Sequence, residues 1–158
     1  MKKYTLKIYP DSVLRDIALH VSEINHVVRH LLKCMSGIMY EHSAVGLAAP
    51  QVGVLKRILI ADKGDGLITM INPEIITGFG NEKMEEGCLS MPDTRVIVDR
   101  KESLFVKYID KNENEKEREF RGLTARVIQH EVDHLNGVLI IDHAPLTERL
   151  KRKIHNVF

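Results

Sequence analysis

The sequence predicts an α+β fold, with short and mostly antiparallel strands packed around a buried helix and further helices near the N-terminus and the C-terminus. The middle of the chain contains several short apolar and β-branched runs separated by turn residues, whereas the segments on either side show apolar residues at helical spacing. The 158 residues include 44% hydrophobic and 28% charged ones, a size and composition typical of one globular domain. We therefore expect a single catalytic domain over residues 1–158.

A first helix is predicted from Ser22 to Glu41. Apolar residues repeat there every three or four positions, and Ser22 is placed to cap the helix N-terminus. Cys34 lies at the edge of the apolar stripe, where a small buried side chain is expected rather than a reactive one. A lone disulfide is uncommon in an intracellular chain of this size, so we do not expect Cys34 to pair with Cys88.

Turn residues between Ala44 and Gly53 predict an irregular loop, and short strands are predicted beyond it. Their expected positions are residues 57–62, 67–72, 74–77, 95–98, 104–109 and 117–121, the last two joined by a polar hairpin loop. A second helix is predicted from Leu123 to Asn136, ended by Gly137 in a left-handed conformation. A third helix is expected to begin near Pro145, with one apolar face formed by Leu146, Leu150 and Ile154.

The overall charge argues against a DNA-binding or membrane protein. The net charge is only +1 at pH 7, so nothing attracts nucleic acid or an anionic membrane to the chain as a whole. No apolar run approaches the roughly 20 residues that cross a bilayer, and the first residues lack the apolar core of a secretory signal. We therefore expect a cytoplasmic protein with no membrane or DNA partner. The basic run Lys151-Arg152-Lys153 is interpreted first as the solvated face of the last helix.

The strongest chemical signal is the sequence His130-Glu131-Val132-Asp133-His134 on the second predicted helix. Residues four apart lie on one helix face, so both histidines can bind the same metal ion, and Glu131 can take a proton from a water held by that ion. The alternative is a solvated helix with two incidental histidines. The apolar residues that flank the motif argue against it, because they predict a largely buried helix, where unpartnered histidines are costly.

A catalytic metal site needs a third protein ligand, and the sequence allows three solutions to be compared. Metzincin proteases add a histidine at the position that is Ile140 in this chain. Thermolysin-like enzymes add a glutamate about twenty residues on, where this chain has Ile154 and non-acidic neighbours. Cys88 is the remaining credible donor, since a thiolate binds divalent transition metals strongly. The alternative is that Cys88 is an ordinary buried core cysteine. Two histidines that lack a third ligand make this alternative the weaker one.

Three separated segments together resemble the signature motifs of peptide deformylases, and the resemblance covers essentially the whole chain. The segments are Gly46-Leu47-Ala48-Ala49-Pro50-Gln51, Glu86-Gly87-Cys88-Leu89-Ser90 and Gln129-His130-Glu131-Val132-Asp133-His134-Leu135. The resemblance implies one divalent metal ion held by Cys88, His130 and His134, with water in the fourth position. It implies Fe²⁺ as the native ion, while the donor set also suits Zn²⁺, Ni²⁺ and Co²⁺.

The resemblance also implies the reaction, which is removal of the formyl group from the N-terminal formylmethionine of nascent polypeptides. Glu131 is then the general base and acid, and the oxyanion is stabilised by the Gln51 side chain and the Leu89 backbone N–H. One such oxyanion donor typically contributes about 3 kcal/mol. By the same family analogy, the basic run of the last helix would dock on ribosomal RNA.

The implied substrate contacts involve the residues around the two glycine-containing motifs and the start of the second helix. Gly46 is expected to bind the substrate main chain, together with its neighbour Val45 and with Gly87. Arg126 and Val127 are expected in the wall of the methionine pocket. For Arg126 we expect an aliphatic stem that covers this wall and a guanidinium that stays in water.

One residue departs from the family pattern, and two other functions remain compatible with the sequence. Where the family usually has a glycine two residues before Gly46, this chain has Ala44, which would cost about 1 kcal/mol if the position requires a positive φ. A metallopeptidase that cleaves internal bonds is disfavoured by the missing third histidine or glutamate. A degenerate family member that binds formylated peptides without turnover has only Ala44 in its favour.

Overall fold

The computed structural model describes residues 4–155, with side chains described for residues 4–150, and it has the predicted α+β architecture. The helices are α1 (His26–Glu41), α2 (Gly122–Leu135) and α3 (Leu146–His155). The strands are β1 (Gly46–Ala48), β2 (Ile58–Ala61), β3 (Ile68–Phe79), β4 (Glu82–Cys88), β5 (Met91–Arg100), β6 (Ser103–Ile109) and β7 (Glu115–Arg121). Short 3₁₀ turns lie at Ser12–Arg15, Ala49–Val52 and Ile140–His143.

The strands form two antiparallel sheets. The larger sheet has five strands in the order β1-β2-β3-β6-β7, and the smaller one is the β4-β5 hairpin. β1 and β7 are therefore the edges of the larger sheet. β1 pairs over only three residues with β2, whereas β7 pairs with β6 along its whole length and carries alternating acidic and basic residues.

β2 lies at the centre of the core because both of its faces are covered by helices. Ile58 and Ile60 pack in one apolar cluster with the buried face of α1, while Leu59 packs in a second cluster with α2. A strand buried on both faces shows a continuous apolar run rather than an alternating one, as the sequence Ile-Leu-Ile-Ala does here. A third cluster joins β5 to the 3₁₀ turn after α2.

The first helix begins later than predicted. α1 starts at His26, and its cap is Asn25, whose side-chain oxygen accepts hydrogen bonds from the backbone N–H groups of Val27 and Val28 at 3.0 and 3.3 Å. Asparagine is as good an N-cap as serine, and the apolar spacing alone does not distinguish Asn25 from Ser22. The prediction of Ser22 as the cap was therefore wrong.

The strands differ from the prediction mainly in number and length. The two strands predicted at 67–72 and 74–77 are one strand, β3, which continues through an irregularity at Asn72, a residue with φ 52°. The Asn72 side chain accepts a hydrogen bond from the Val21 N–H and donates one to the Val21 carbonyl. β4 was not predicted because most of its residues are charged and show no apolar alternation, and β1 lies within the segment predicted to be a loop.

In the part of the chain that the structure describes, no helix is both long and apolar enough to cross a membrane. Lys151, Arg152, Lys153 and Ile154 lie outside the residues whose side chains are described, so the predictions for the face of the last helix stay predictions.

Leu59→Ala should lower the free energy of unfolding by about 2–5 kcal/mol, since it removes a fully buried side chain between β2 and α2. Urea denaturation monitored by circular dichroism measures this loss. Ile17→Ala is the matched control, because Ile17 is 68% exposed and should change stability by less than about 0.5 kcal/mol. Equal effects in the two variants would show that β2 is not the centre of the core.

Candidate metal centre and active site

A cavity of about 440 Å³ lies where β1, the β4-β5 hairpin and α2 meet. Its lining includes every residue predicted to contact metal or substrate except His134, which is buried directly behind His130. These lining residues are Val45, Gly46, Gln51, Gly87, Cys88, Leu89, Arg126, Val127, His130 and Glu131. Residues that are distant in sequence are therefore brought to one site, as predicted from the three motifs.

Three donor atoms converge at the inner end of this cavity. Cys88 Sγ lies 3.2 Å from His134 Nε2, which in turn lies 3.3 Å from His130 Nε2. All three atoms fall within 4.8 Å of one another. The helical spacing of α2 places the two imidazoles on one face, and Cys88 reaches them from the last residue of β4.

The residues fit a transition-metal ion by donor chemistry and by charge. One thiolate and two imidazoles are a donor set used for Zn²⁺ and other borderline-soft divalent ions. Burial lowers the pKa of His130, but hydrogen bonds with Cys88 and Glu86 outweigh it and raise that pKa. The surroundings of His130 therefore favour a positive charge, which a bound cation supplies without a proton.

Glu131 is buried beside these donors, and only 3% of it is exposed. Among the described residues, its Oε2 has no hydrogen-bond partner. Burial raises the pKa of Glu131 to about 7, with the charge of His130 acting in the opposite direction. A buried carboxyl group with a free oxygen and a pKa near neutrality can both accept and return a proton.

Gln51 has a fixed orientation at the end of the same cavity. Its Oε1 accepts a hydrogen bond from the Ala48 backbone N–H at 2.8 Å, which identifies the other amide atom as the nitrogen. That Nε2 lies 3.3 Å from Ser90 Oγ and 3.7 Å from Cys88 Sγ. The amide donor of Gln51 is therefore directed toward Cys88 and Ser90.

Glu86 orients the imidazole ring of His130, and no sequence motif predicted this contact. Its Oε2 accepts a hydrogen bond from His130 Nδ1 at 3.0 Å, which leaves Nε2 of the same ring as the donor atom for a metal. Burial raises the pKa of Glu86, but His130 and Arg100 outweigh burial and hold it well below its usual range. The acidic residue two positions before Cys88 was visible in the sequence, but its partner Arg100 could be identified only in the folded chain.

The prediction that the Arg126 guanidinium stays in water was wrong. Arg126 is only 4% exposed, and its Nη1 donates to Glu86 Oε1 at 2.8 Å and to the Val98 carbonyl at 3.1 Å. Its Nη2 donates to the Glu82 carbonyl at 2.6 Å. The guanidinium is buried because β4 and β5 provide acceptors for it. The prediction missed β4 and included only residues 95–98 of β5.

Ala44 is not strained. The left-handed residue beside it is Ser43, with φ 52°, and the Ala44 N–H donates to the Met39 carbonyl at 3.0 Å. The left-handed conformation in the turn after α1 therefore falls on Ser43 and not on Ala44. This removes the single observation that favoured a degenerate protein.

Comparison with known proteins agrees with the geometry of the site. Residues 3–150 match the family model described as polypeptide deformylase. A peptide deformylase of Thermodesulfovibrio yellowstonii is 47% identical over 154 residues, which cover 94% of this chain and 93% of the relative. The crystal structure of peptide deformylase from Thermotoga maritima superposes with a TM-score of 0.88 at 41% identity, covering 92% of this chain and 99% of that one.

A third similar structure is a class I type b peptide deformylase from Acinetobacter baumannii with Met-Ala-Ser bound. It superposes with a TM-score of 0.85 at 35% identity, covering 90% of this chain and 98% of that chain.

A buried carboxyl group next to a cysteine and two histidines is an arrangement typical of metal-dependent hydrolases. Within that class, the family match over almost the whole chain and the fold agree with each other. The chain belongs to the peptide deformylase family. It is an enzyme that removes the formyl group from the N-terminus of nascent polypeptides, and the alternative of a peptidase acting on internal bonds was wrong.

Gly46→Ala should reduce kcat/KM at least about tenfold, because a Cβ at this position would lie 2.5 Å from Glu131 Oε1 and 2.6 Å from Val127 Cγ1. β1 can approach α2 this closely only with a glycine. Steady-state kinetics on a formyl-Met peptide measure the loss. Gly37→Ala is the matched control, since a Cβ there meets nothing within 4 Å and should leave kcat/KM unchanged. An active Gly46→Ala enzyme would show that the position of Glu131 is not critical.

Proposed function

We propose that Cys88, His130 and His134 hold one divalent metal ion and that Glu131 is the general base and acid of deformylation. The observation that carries this proposal is the convergence of three donor atoms within 4.8 Å beside a buried carboxyl group that lines the cavity. When bound, such an ion supplies Lewis acidity that polarises the formyl carbonyl and makes water more acidic. We also propose that residues 1–158 act as one catalytic domain.

Glu131 moves the proton in this proposal. As a carboxylate it accepts a proton from the attacking water, and as a carboxylic acid it gives this proton to the departing amine. The pKa of about 7 suits both steps, because neither the charged nor the neutral form is strongly favoured near neutral pH. The proximity of Gly46 keeps the carboxyl group against the cavity wall.

Gln51 and the Leu89 N–H are proposed to stabilise the negative charge that develops on the formyl oxygen. The Ala48 N–H fixes the Gln51 amide, so the donor is preorganised and needs no rearrangement during the reaction. Leu89 lies in the two-residue turn between β4 and β5, and its side chain packs against the α1 core cluster. This packing holds the turn next to Cys88.

The substrate main chain is proposed to lie between the two sheets, along β1 on one side and Gly87 on the other. β1 is an edge strand, and Val45 and Gly46 line the cavity, so backbone groups there can pair with an extended peptide. Val127 and the stem of Arg126 form the wall for the methionine side chain. The binding of Met-Ala-Ser by the Acinetobacter baumannii relative supports an N-terminal methionine at this position.

Fe²⁺ is the proposed native ion, with Zn²⁺, Ni²⁺ and Co²⁺ as alternatives that suit the same donor set. A cytoplasmic location is proposed because nascent chains are made there and because Cys34 and Cys88 are both free thiols. Docking on the ribosome through the last helix is proposed from its basic sequence Lys151-Arg152-Lys153 alone.

Glu131→Gln should retain the metal but lose about 10²–10⁴-fold in kcat, because the amide cannot accept and return the proton. Turnover of formyl-Met-Ala-Ser and metal content are measured on the same preparation. Glu117→Gln on the exposed strand β7 controls for loss of a negative charge. A Glu131→Gln enzyme with more than about a tenth of the wild-type kcat would falsify the general-base assignment.

Enzyme purified under anaerobic conditions should contain iron and lose activity on exposure to air faster than enzyme reloaded with Zn²⁺ or Ni²⁺. The reason is that Fe²⁺ can be oxidised whereas Zn²⁺ has no redox chemistry. Metal analysis together with the decay of activity in air tests this. Equal lifetimes with bound zinc and full activity would identify a zinc enzyme instead.

A further inference from the structure

A chain of hydrogen bonds runs from the metal-binding residues to the surface. Glu86 accepts hydrogen bonds from His130 on one side and from Arg100 Nε and Nη2 on the other, each at 3.0 Å. Arg100 Nη1 then donates to Asp133 Oδ2 at 2.6 Å. The same oxygen lies 2.8 Å from Nε2 of His143, a partly exposed residue.

The charges in this chain are balanced in the folded structure. Arg100 and Arg126 each place one positive charge against Glu86, and both are only 5% exposed at the side chain. Glu86 and Asp133 supply two negative charges in return. Arginine presents its donors in a rigid plane, so a guanidinium held at Nη1 by Asp133 can offer Nε and Nη2 to Glu86 in only one orientation.

We propose that Asp133 and His143 are positioning residues for the metal ligand His130. They fix Arg100 from the outside, Arg100 fixes both oxygens of Glu86, and Glu86 fixes the His130 ring. This inference rests on the proposed function of His130 as a metal ligand. Asp133 follows Glu131 by two residues on α2. It acts on the His130 ring through its contacts with Arg100 and His143 and not through contact with substrate.

His143 is suited to this role because of the segment that carries it. It ends the 3₁₀ turn Ile140–His143, in which Asp142 accepts hydrogen bonds from the Leu139 N–H at 2.8 Å and from Arg15 Nη1 at 2.5 Å. The turn also packs against β5 in the third apolar cluster. A carboxylate only accepts hydrogen bonds, so His143 Nε2 must be the donor to Asp133, and a neutral imidazole can supply that donor.

The test uses full-length protein loaded with Zn²⁺ and measures the rate of zinc release to a chelator. His143→Ala removes the donor and should release zinc about ten times faster, the low end of the effect of residues that orient metal ligands. His143→Gln keeps an N–H donor at a similar distance and should release zinc within about twofold of the wild-type rate. Asp133→Asn should release it faster than His143→Ala, because it removes the charged acceptor of Arg100 Nη1 as well as the partner of His143.

The control is His26→Ala. His26 is exposed at the start of α1, and α1 packs on one face of β2 while α2 packs on the other. The absorption spectrum of the Co²⁺-loaded protein gives a second readout, and it should change in His143→Ala but not in His143→Gln or His26→Ala. A His143→Ala protein with the release rate and spectrum of His26→Ala would overturn the proposal. Equal changes in His143→Ala and His143→Gln would overturn it too, because the hydrogen bond would not be the cause.

The proposed metal ligands are tested separately by Cys88→Ser, which should lose most of its zinc affinity. Zinc retained after dialysis of Cys88→Ser would contradict the ligand set itself. In that case zinc would be bound elsewhere, and the zinc-release rates of the His143 variants would not follow the expected order.

Discussion

α2 brings Arg126 and His130 into the protein interior, and the partners that these two side chains require determine how the helix packs. An unpaired charge costs several kcal/mol when it is buried, so the helix can pack only against a surface that offers matching groups. The β4-β5 hairpin provides them, with Glu86 between Arg100, Arg126 and His130. Cys88 lies at the turn of the same hairpin, so the contacts that allow α2 to be buried also bring its sulfur to the two histidines.

The active site therefore combines two kinds of packing. Gly46 and Gln51 are positioned by the apolar core, because β1 and the following 3₁₀ turn are buried against α1 and β2. Cys88 and His130 are positioned by the ionic contacts of the hairpin. Apolar packing fixes distance between elements, whereas charged hydrogen bonds also fix the direction of each donor and acceptor. A metal-dependent reaction needs both, since its ligands and its proton carrier must be held in a defined geometry.

The sequence predicted which residues meet at the cavity better than it predicted the residues that hold them in place. The helical spacing of His130, Glu131 and His134 and the missing third ligand led to Cys88, and the structure places Cys88, His130 and His134 together with Glu131 beside them. Arg126 was placed incorrectly because its acceptors come from β4 and β5, which are distant in sequence. The start of α1 and the strand β4 were missed for a related reason, since both Asn25 and the charged residues of β4 are compatible with several local structures.

The two edge strands of the larger sheet differ in how readily they could pair with another chain. An unpaired strand edge can bind a second copy of the chain and begin aggregation. On β7, residues Glu115 to Glu119 alternate between negative and positive charge, so a strand added there would have to strip water from several charged side chains. β1 has no such charges, and in only three residues it offers too little backbone for stable pairing with another protein. In the proposed function, one edge of the sheet is therefore open to a short peptide end, while neither edge offers a long uncharged strand to a second copy of the chain.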